Sequence, residues 1–298
     1  MTVTATRVQQ RAPHAVVPPT APTSVELLQA VRNDHLHVAH QPIVCLDDRT
    51  MVGTETLVRW LHPRLGMLLP ARFLPLAEAV GAMPALDLLV LRAACRVMAA
   101  DPALPTTSTN VSRASLLRRG FVAAVLRTLA EHEVQGHRIM LELSEELTLD
   151  DLELVRDELA ELRRAGVQLV LDDLGAGATT LQHVRMLKPA WVKVDRSLVT
   201  GVEDCPDRLR TVERLVELAR ATGARVTAEG IEDERQVVAL AGVGCERGQG
   251  WLFGRPVVQL ATDRLDHHGD DQRPEERPRA EHRREPLDGG GVPARQAG

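Results

Sequence analysis

The sequence sets two carboxylates side by side, Asp172 and Asp173, at the end of the apolar run Val167-Gln168-Leu169-Val170-Leu171, and puts a lysine inside a second apolar run, Trp191-Val192-Lys193-Val194-Asp195. Acids at the end of a buried strand are costly unless a cation meets them. The lysine is informative because, of 36 basic residues, only Lys188 and Lys193 are lysine. Arginine is planar and permanently charged, whereas an ammonium is a compact point charge suited to a narrow site. Taken singly, each of these residues reads as a satisfied structural acid or as a lysine whose amine reaches solvent. Taken together, the polar residues that close the apolar runs are Glu55, Asn110, Glu142, Glu145, Asp172, Asp173, Lys193, Glu229, Glu232 and Gln249. Acids converging from several strands repel one another unless cations sit among them. Oxygen donors with one amide and neither His nor Cys select Mg2+ or Mn2+ over zinc. Two ions about 3.5–4 Å apart are the usual arrangement for in-line hydrolysis of a phosphodiester. One of the adjacent aspartates would bridge them, with Lys193 orienting or helping to activate the attacking water.

The elements that must position these groups alternate. Strand-like runs fall at 38–46, 51–60, 106–111, 138–143, 167–172, 190–195, 225–229 and 249–253. Helical patterns lie at 71–80, 85–100, 115–132, 150–165, 179–187, 207–222 and 233–242. The first two strands are joined by the short turn Asp47-Asp48-Arg49-Thr50 and are expected to be antiparallel neighbours. Eight strands alternating with helices in one uninterrupted stretch predict an α/β, TIM-like (β/α)8 barrel, with chemistry at the C-terminal strand ends. Thr23 and Glu26 fit a capping box that opens a short helix ahead of it.

Composition excludes other classes. The chain has 298 residues, a net charge of −5 and a pI near 6.1, which argues against binding a nucleic-acid polymer or an anionic membrane. Cys45, Cys95, Cys205 and Cys245 form no C-x-x-C pair and read as reduced thiols of a cytoplasmic protein. No apolar run is long enough to span a membrane, and no dinucleotide or Walker motif follows a strand. Residues 1–22, rich in Pro, Ala and Thr, read as a disordered arm; 23–262 read as one domain; 263–298, almost all charged, His, Pro or Gly, read as a disordered tail.

Eight stretches in order, HQPIV, GTETLVRWLHPRLGMLLPARFLPLAE, TNVS, LELSEE, LDDLGAG, VKVDRSLV, AEGIE and GCERGQGWLFGRP, resemble the EAL domain of bacterial cyclic dimeric GMP (c-di-GMP) phosphodiesterases. The resemblance implies a barrel whose first strand is antiparallel to the others. It also implies hydrolysis of c-di-GMP to linear pGpG with two Mg2+ or Mn2+ ions, inhibition by Ca2+, and a homodimer. On it, Glu55, Asn110, Glu142 and Asp172 are ligands of one metal, and Asp172 bridges to a second near Asp173. Lys193 holds the nucleophilic water, and Glu229 is either a ligand or the general base. Gln41, Leu57 and Arg59 correspond to substrate contacts, Gln249 and Glu232 to outer supports, and Glu145 to the anchor of the loop after the paired aspartates.

The chain departs from the family pattern at Thr56, at His40, and in the loop, where Leu174 stands for an aromatic, Ala176 for a threonine and Ala178-Thr179-Thr180 for aromatic-Ser-Ser. Since the family loop couples metal site to dimer, these changes bear on turnover before metal binding. The alternatives to an active hydrolase are therefore a weak or inactive domain serving as a c-di-GMP receptor, and a partner-binding scaffold.

Overall fold

The turn at Asp47–Thr50 sets the first step of the architecture. Asp48 Oδ1 accepts from the Thr50 backbone N–H at 3.0 Å and from its hydroxyl at 2.6 Å, and Arg49 takes φ 62°. An Asx-type turn of this kind reverses the chain within a few residues. It joins β1 (Leu36–Cys45) to β2 (Met51–His62) as an antiparallel pair. The computed structural model describes residues 21–259 except 34, 145 and 176–180. The expected terminal arm apart from residues 21–22, the whole charged tail, the site residue Glu145 and most of the altered loop lie outside the described residues.

Further strands are β3 (Gly66–Leu68), β4 (Thr107–Val111), β5 (Ile139–Leu143), β6 (Gln168–Leu174), β7 (Trp191–Val194), β8 (Arg225–Glu229), β9 (Arg247–Gln249) and β10 (Val257–Gln259). Pairing runs β1-β9-β8-β7-β6-β5-β4-β2, and β2 returns to β1, which closes an eight-stranded barrel. β1 is antiparallel to both of its barrel neighbours while the other seven run parallel. The fold is the expected TIM-like barrel with a reversed first strand. β3 and β10 lengthen the β2 and β1 edges and were not foreseen.

Alternation along each strand separates two environments. Ile139, Leu141, Leu169, Leu171, Val192, Val194, Val226 and Ala228 join the large apolar layer beneath the helices. Met140, Val170 and Trp191 form a separate small cluster inside the ring. There the Trp191 indole is flanked by the guanidiniums of Arg247 at 3.6 Å and Arg225 at 3.9 Å, which seals the N-terminal floor. Burial, then the neighbouring Arg225 charge, lowers the Arg247 pKa to about 10.

Three boundaries differ from expectation. The pattern 115–132 divides into helices Arg113–Leu116 and Phe121–Glu131, because Gly120 takes φ 83° at the second N-cap. The pattern 150–165 breaks at Val155. The last barrel strand ends at Gln249, not at 253. A Cβ at Gly250 would lie 2.0 Å from the Ile231 carbonyl oxygen, so a glycine-only contact turns the chain there. The capping box holds as read, with Thr23 and Glu26 opening the helix Ser24–Arg32.

Candidate active site

Lys193 lies on the inward face of β7, two residues above the Trp191 floor, and is 3% exposed. Its Nζ donates to Glu142 Oε2 at 2.9 Å and ion-pairs with Glu229 Oε1 at 2.5 Å, with Glu55 Oε2 and Asp172 Oδ1 each at 3.5 Å. Four carboxylates from β2, β5, β6 and β8 thus surround one ammonium. Burial alone would lower the lysine pKa, but Asp172, Glu142, Glu229 and Glu55 together hold it well above the ordinary value. The charge balance leaves the acids unequal. Burial pushes Glu142 well up, reinforced by the charge of Glu55, and raises Glu229 to about 8 against the pull of Lys193. Glu55 is held below its ordinary value even though burial works against it, because Lys193, Gln249 and Asn110 all stabilise its anion.

Amides fix the orientation of Glu55. Asn110 Nδ2 donates to its Oε1 at 2.9 Å, and Gln249 Nε2 donates to its Oε2 at 2.7 Å and to Gln41 Oε1 at 3.0 Å. Gln41 in turn donates to the Gly254 carbonyl at 3.1 Å. The Gln249 Oε1 atom is buried without a hydrogen-bond donor.

Adjacent residues of a regular strand face opposite sides, so Asp172 and Asp173 share the mouth only because β6 is irregular. Its register with β7 shifts between Leu171 and Leu174, and Asp173 takes φ 55°. Carboxylate oxygens of Asp172, Asp173 and Glu229 then lie within 4.8 Å of one another. An oxygen-only donor set with surplus negative charge fits a hard divalent cation.

The structure therefore brings Glu55, Asn110, Glu142, Asp172, Lys193, Glu229, Gln249 and Gln41 into one network. Leu57 and Glu232 line the cavity of about 250 Å³ above it. Arg59 is buried, donates to the carbonyl of its neighbour Val58 at 2.8 Å, and feels the charge of Glu55. Two wall residues were not read from the sequence, Arg196 and Trp251. Arg196 pairs with Glu232 at 2.6 Å and lies 5.2 Å from the Trp251 ring, whose other neighbour is Arg255 at 4.0 Å. Trp251 is 47% exposed, and no local sequence pattern marks it or Arg196 as wall residues.

Fold and site together define an eight-stranded TIM-like barrel with one reversed strand and an acidic mouth built around a single buried ammonium. The chain belongs to the EAL domain family, whose model matches residues 24–256. It is 34% identical over 242 residues to the cyclic di-GMP phosphodiesterase NbdA of Pseudomonas aeruginosa, covering 80% of this chain and 31% of that protein. It is 33% identical over 244 residues to the uncharacterized protein Rv1357c of Mycobacterium tuberculosis, covering 78% and 79%. A solved MucR phosphodiesterase in complex with c-di-GMP superposes with a TM-score of 0.73 at 32% identity, covering 78% of this chain and 96% of that one. The chain spans only 31% to 38% of the length of the first curated relatives it matches. Among the described residues, no helix is long and apolar enough to cross a membrane.

Proposed function

We propose that the protein is a metal-dependent phosphodiesterase that hydrolyses c-di-GMP to linear pGpG. The observation that carries this reading is the ammonium of Lys193 encircled by four carboxylates at the mouth of an EAL-family barrel. Glu55, Asn110, Glu142, Asp172 and Asp173 supply the donors that would hold two Mg2+ or Mn2+ ions. Such ions supply Lewis-acid polarisation of the phosphoryl group and acidify water. Lys193 donates hydrogen bonds and holds the nucleophilic water in line with the phosphorus. Glu229, whose carboxylate lies 2.5 Å from Lys193 Nζ, accepts the water's proton as general base. The water oxygen bonds to phosphorus as its proton passes to Glu229, the bond to the ribose 3′ oxygen breaks, and that oxygen takes a proton from solvent to become the 3′-hydroxyl of pGpG. Gln41, Leu57 and the Arg196–Trp251 wall orient the cyclic dinucleotide.

Incubation of the purified chain with c-di-GMP and Mn2+ tests the proposal: pGpG is expected, and its absence with Mg2+ and Mn2+ alike overturns it. Ca2+ is expected to inhibit, and sedimentation is expected to give a homodimer. A second reading rests on Leu174, which is buried where the family loop carries an aromatic. On that reading the domain is a c-di-GMP receptor, and calorimetry would register tight binding with no product.

A further inference from the structure

A second concavity lies away from the mouth and is larger than it. It is a groove of about 600 Å³ on the outside of the barrel, between the helices Ser24–Arg32, Met83–Ala100 and Phe121–Glu131. Arg32, Arg92, Arg96, Arg118 and Arg119 line it, and no acidic residue does. Their being arginine is uninformative in a chain that uses little else; their convergence in a protein of net charge −5 is not. Some exposed arginines elsewhere meet acids, as Arg49 meets Glu234 and Arg235 meets Asp204. None of the five groove arginines has a carboxylate within ion-pair reach among the described residues. Five like charges facing one cavity repel, and an anion relieves that repulsion.

The wall between the guanidiniums is apolar. Leu88, Leu89 and Phe121 form part of it, and Arg92 and Arg96 stand one helical turn apart above them. Phe121 begins a helix whose N-cap, Gly120, offers no side chain and whose first turn has no acid, which adds the positive end of a helix dipole. Guanidinium forks bind phosphate bidentately, several forks suit several phosphates, and a flat base suits the apolar surface that Val31, Ala85 and Leu88 leave accessible. Cavities of roughly 300–1,000 Å³ take small molecules. We propose that this groove binds a nucleoside di- or triphosphate, at a site separate from the catalytic mouth.

The test is calorimetric titration of the full chain with ATP, GTP and inorganic tripolyphosphate in EDTA. Without divalent metal the surplus carboxylates of the mouth repel polyanions, so heat reports the groove, and the outcome does not depend on the hydrolase reading. One equivalent of nucleotide is expected to bind. The charge reversal Arg92→Glu/Arg96→Glu is expected to weaken binding at least about tenfold, since two charge-assisted contacts are lost. Arg118→Ala/Arg119→Ala is expected to weaken it less, with melting temperatures of both variants unchanged. Absence of nucleotide binding, or affinity untouched by the Arg92/Arg96 reversal, overturns the proposal. So does equal affinity for tripolyphosphate, because the apolar wall then contributes nothing.

Discussion

Two residues on one face of β7 live in opposite electrostatic surroundings. Trp191, at the floor, is held between the cations Arg225 and Arg247, with Met140 and Val170 as its apolar companions. Lys193, one pleat higher, is the cation, and four carboxylates meet it. The floor calls for no ligand to balance its charge: guanidiniums lie on an aromatic face and Arg225 also reaches Glu246 at 3.7 Å, although the buried Trp191 Nε1 has no hydrogen-bond partner. The mouth is not, since one ammonium cannot neutralise four carboxylates and two of them are pushed towards protonation. The difference separates what holds a barrel shut from what leaves it needing a ligand.

Replacing the ammonium breaks this comparison most severely. Lys193→Met should reduce c-di-GMP turnover by about 10³-fold, in the range expected for a positioned proton donor combined with electrostatic stabilisation. It should also destabilise the metal-free protein by about 3–5 kcal/mol in urea unfolding, because buried acids lose their counter-ion. Added Mn2+ should restore part of that loss. Turnover that survives would reduce Lys193 to a counter-ion and erase the contrast with the floor. At the floor itself, Trp191→Ala should cost about 3–5 kcal/mol of stability while leaving kcat and KM of the folded protein unchanged. A change in KM would mean that the floor reaches the mouth.

Titrating wild-type protein with Mg2+ or Mn2+ should raise its melting temperature, equivalent to about 2.7 kcal/mol at a hundredfold excess over Kd. Asp172→Asn should remove most of that rise, and the floor variant Arg247→Met should keep it. Arg247→Met itself should cost only about 0.5–2 kcal/mol, the range of a partly desolvated cation–π contact. A larger loss would show that the floor depends on its charges more than on its tryptophan.

The barrel was legible because strand faces repeat with period two, and runs such as Val167–Leu171 carry that signal without help from other parts of the chain. The acidic set was legible because carboxylates at strand ends are costly without partners, and Lys193 because arginine occupies almost every other basic position. Other features depend on contacts that no local pattern encodes. The end of β9 at Gln249 follows from the Gly250 approach to Ile231, and β10 exists only by pairing with β1. Arg59 has the chemistry of a phosphate contact, but its guanidinium folds back on Val58. Arg196 and Trp251 became visible only when two loops were set side by side. The role assigned to Glu145 falls outside the described residues.

The left-handed backbone at Asp173 carries a consequence for how this site trades robustness against use. A non-glycine residue at φ 55° is held against its own preference, by about 1 kcal/mol, although aspartate tolerates the region better than most. Its charge is also crowded by Asp172 and Glu229. Asparagine fits the same backbone and removes the crowding, so Asp173→Asn should melt slightly higher than wild type without metal and gain less from Mn2+. Stability alone would favour the asparagine; the aspartate adds a negative charge at the mouth that a bound cation would use.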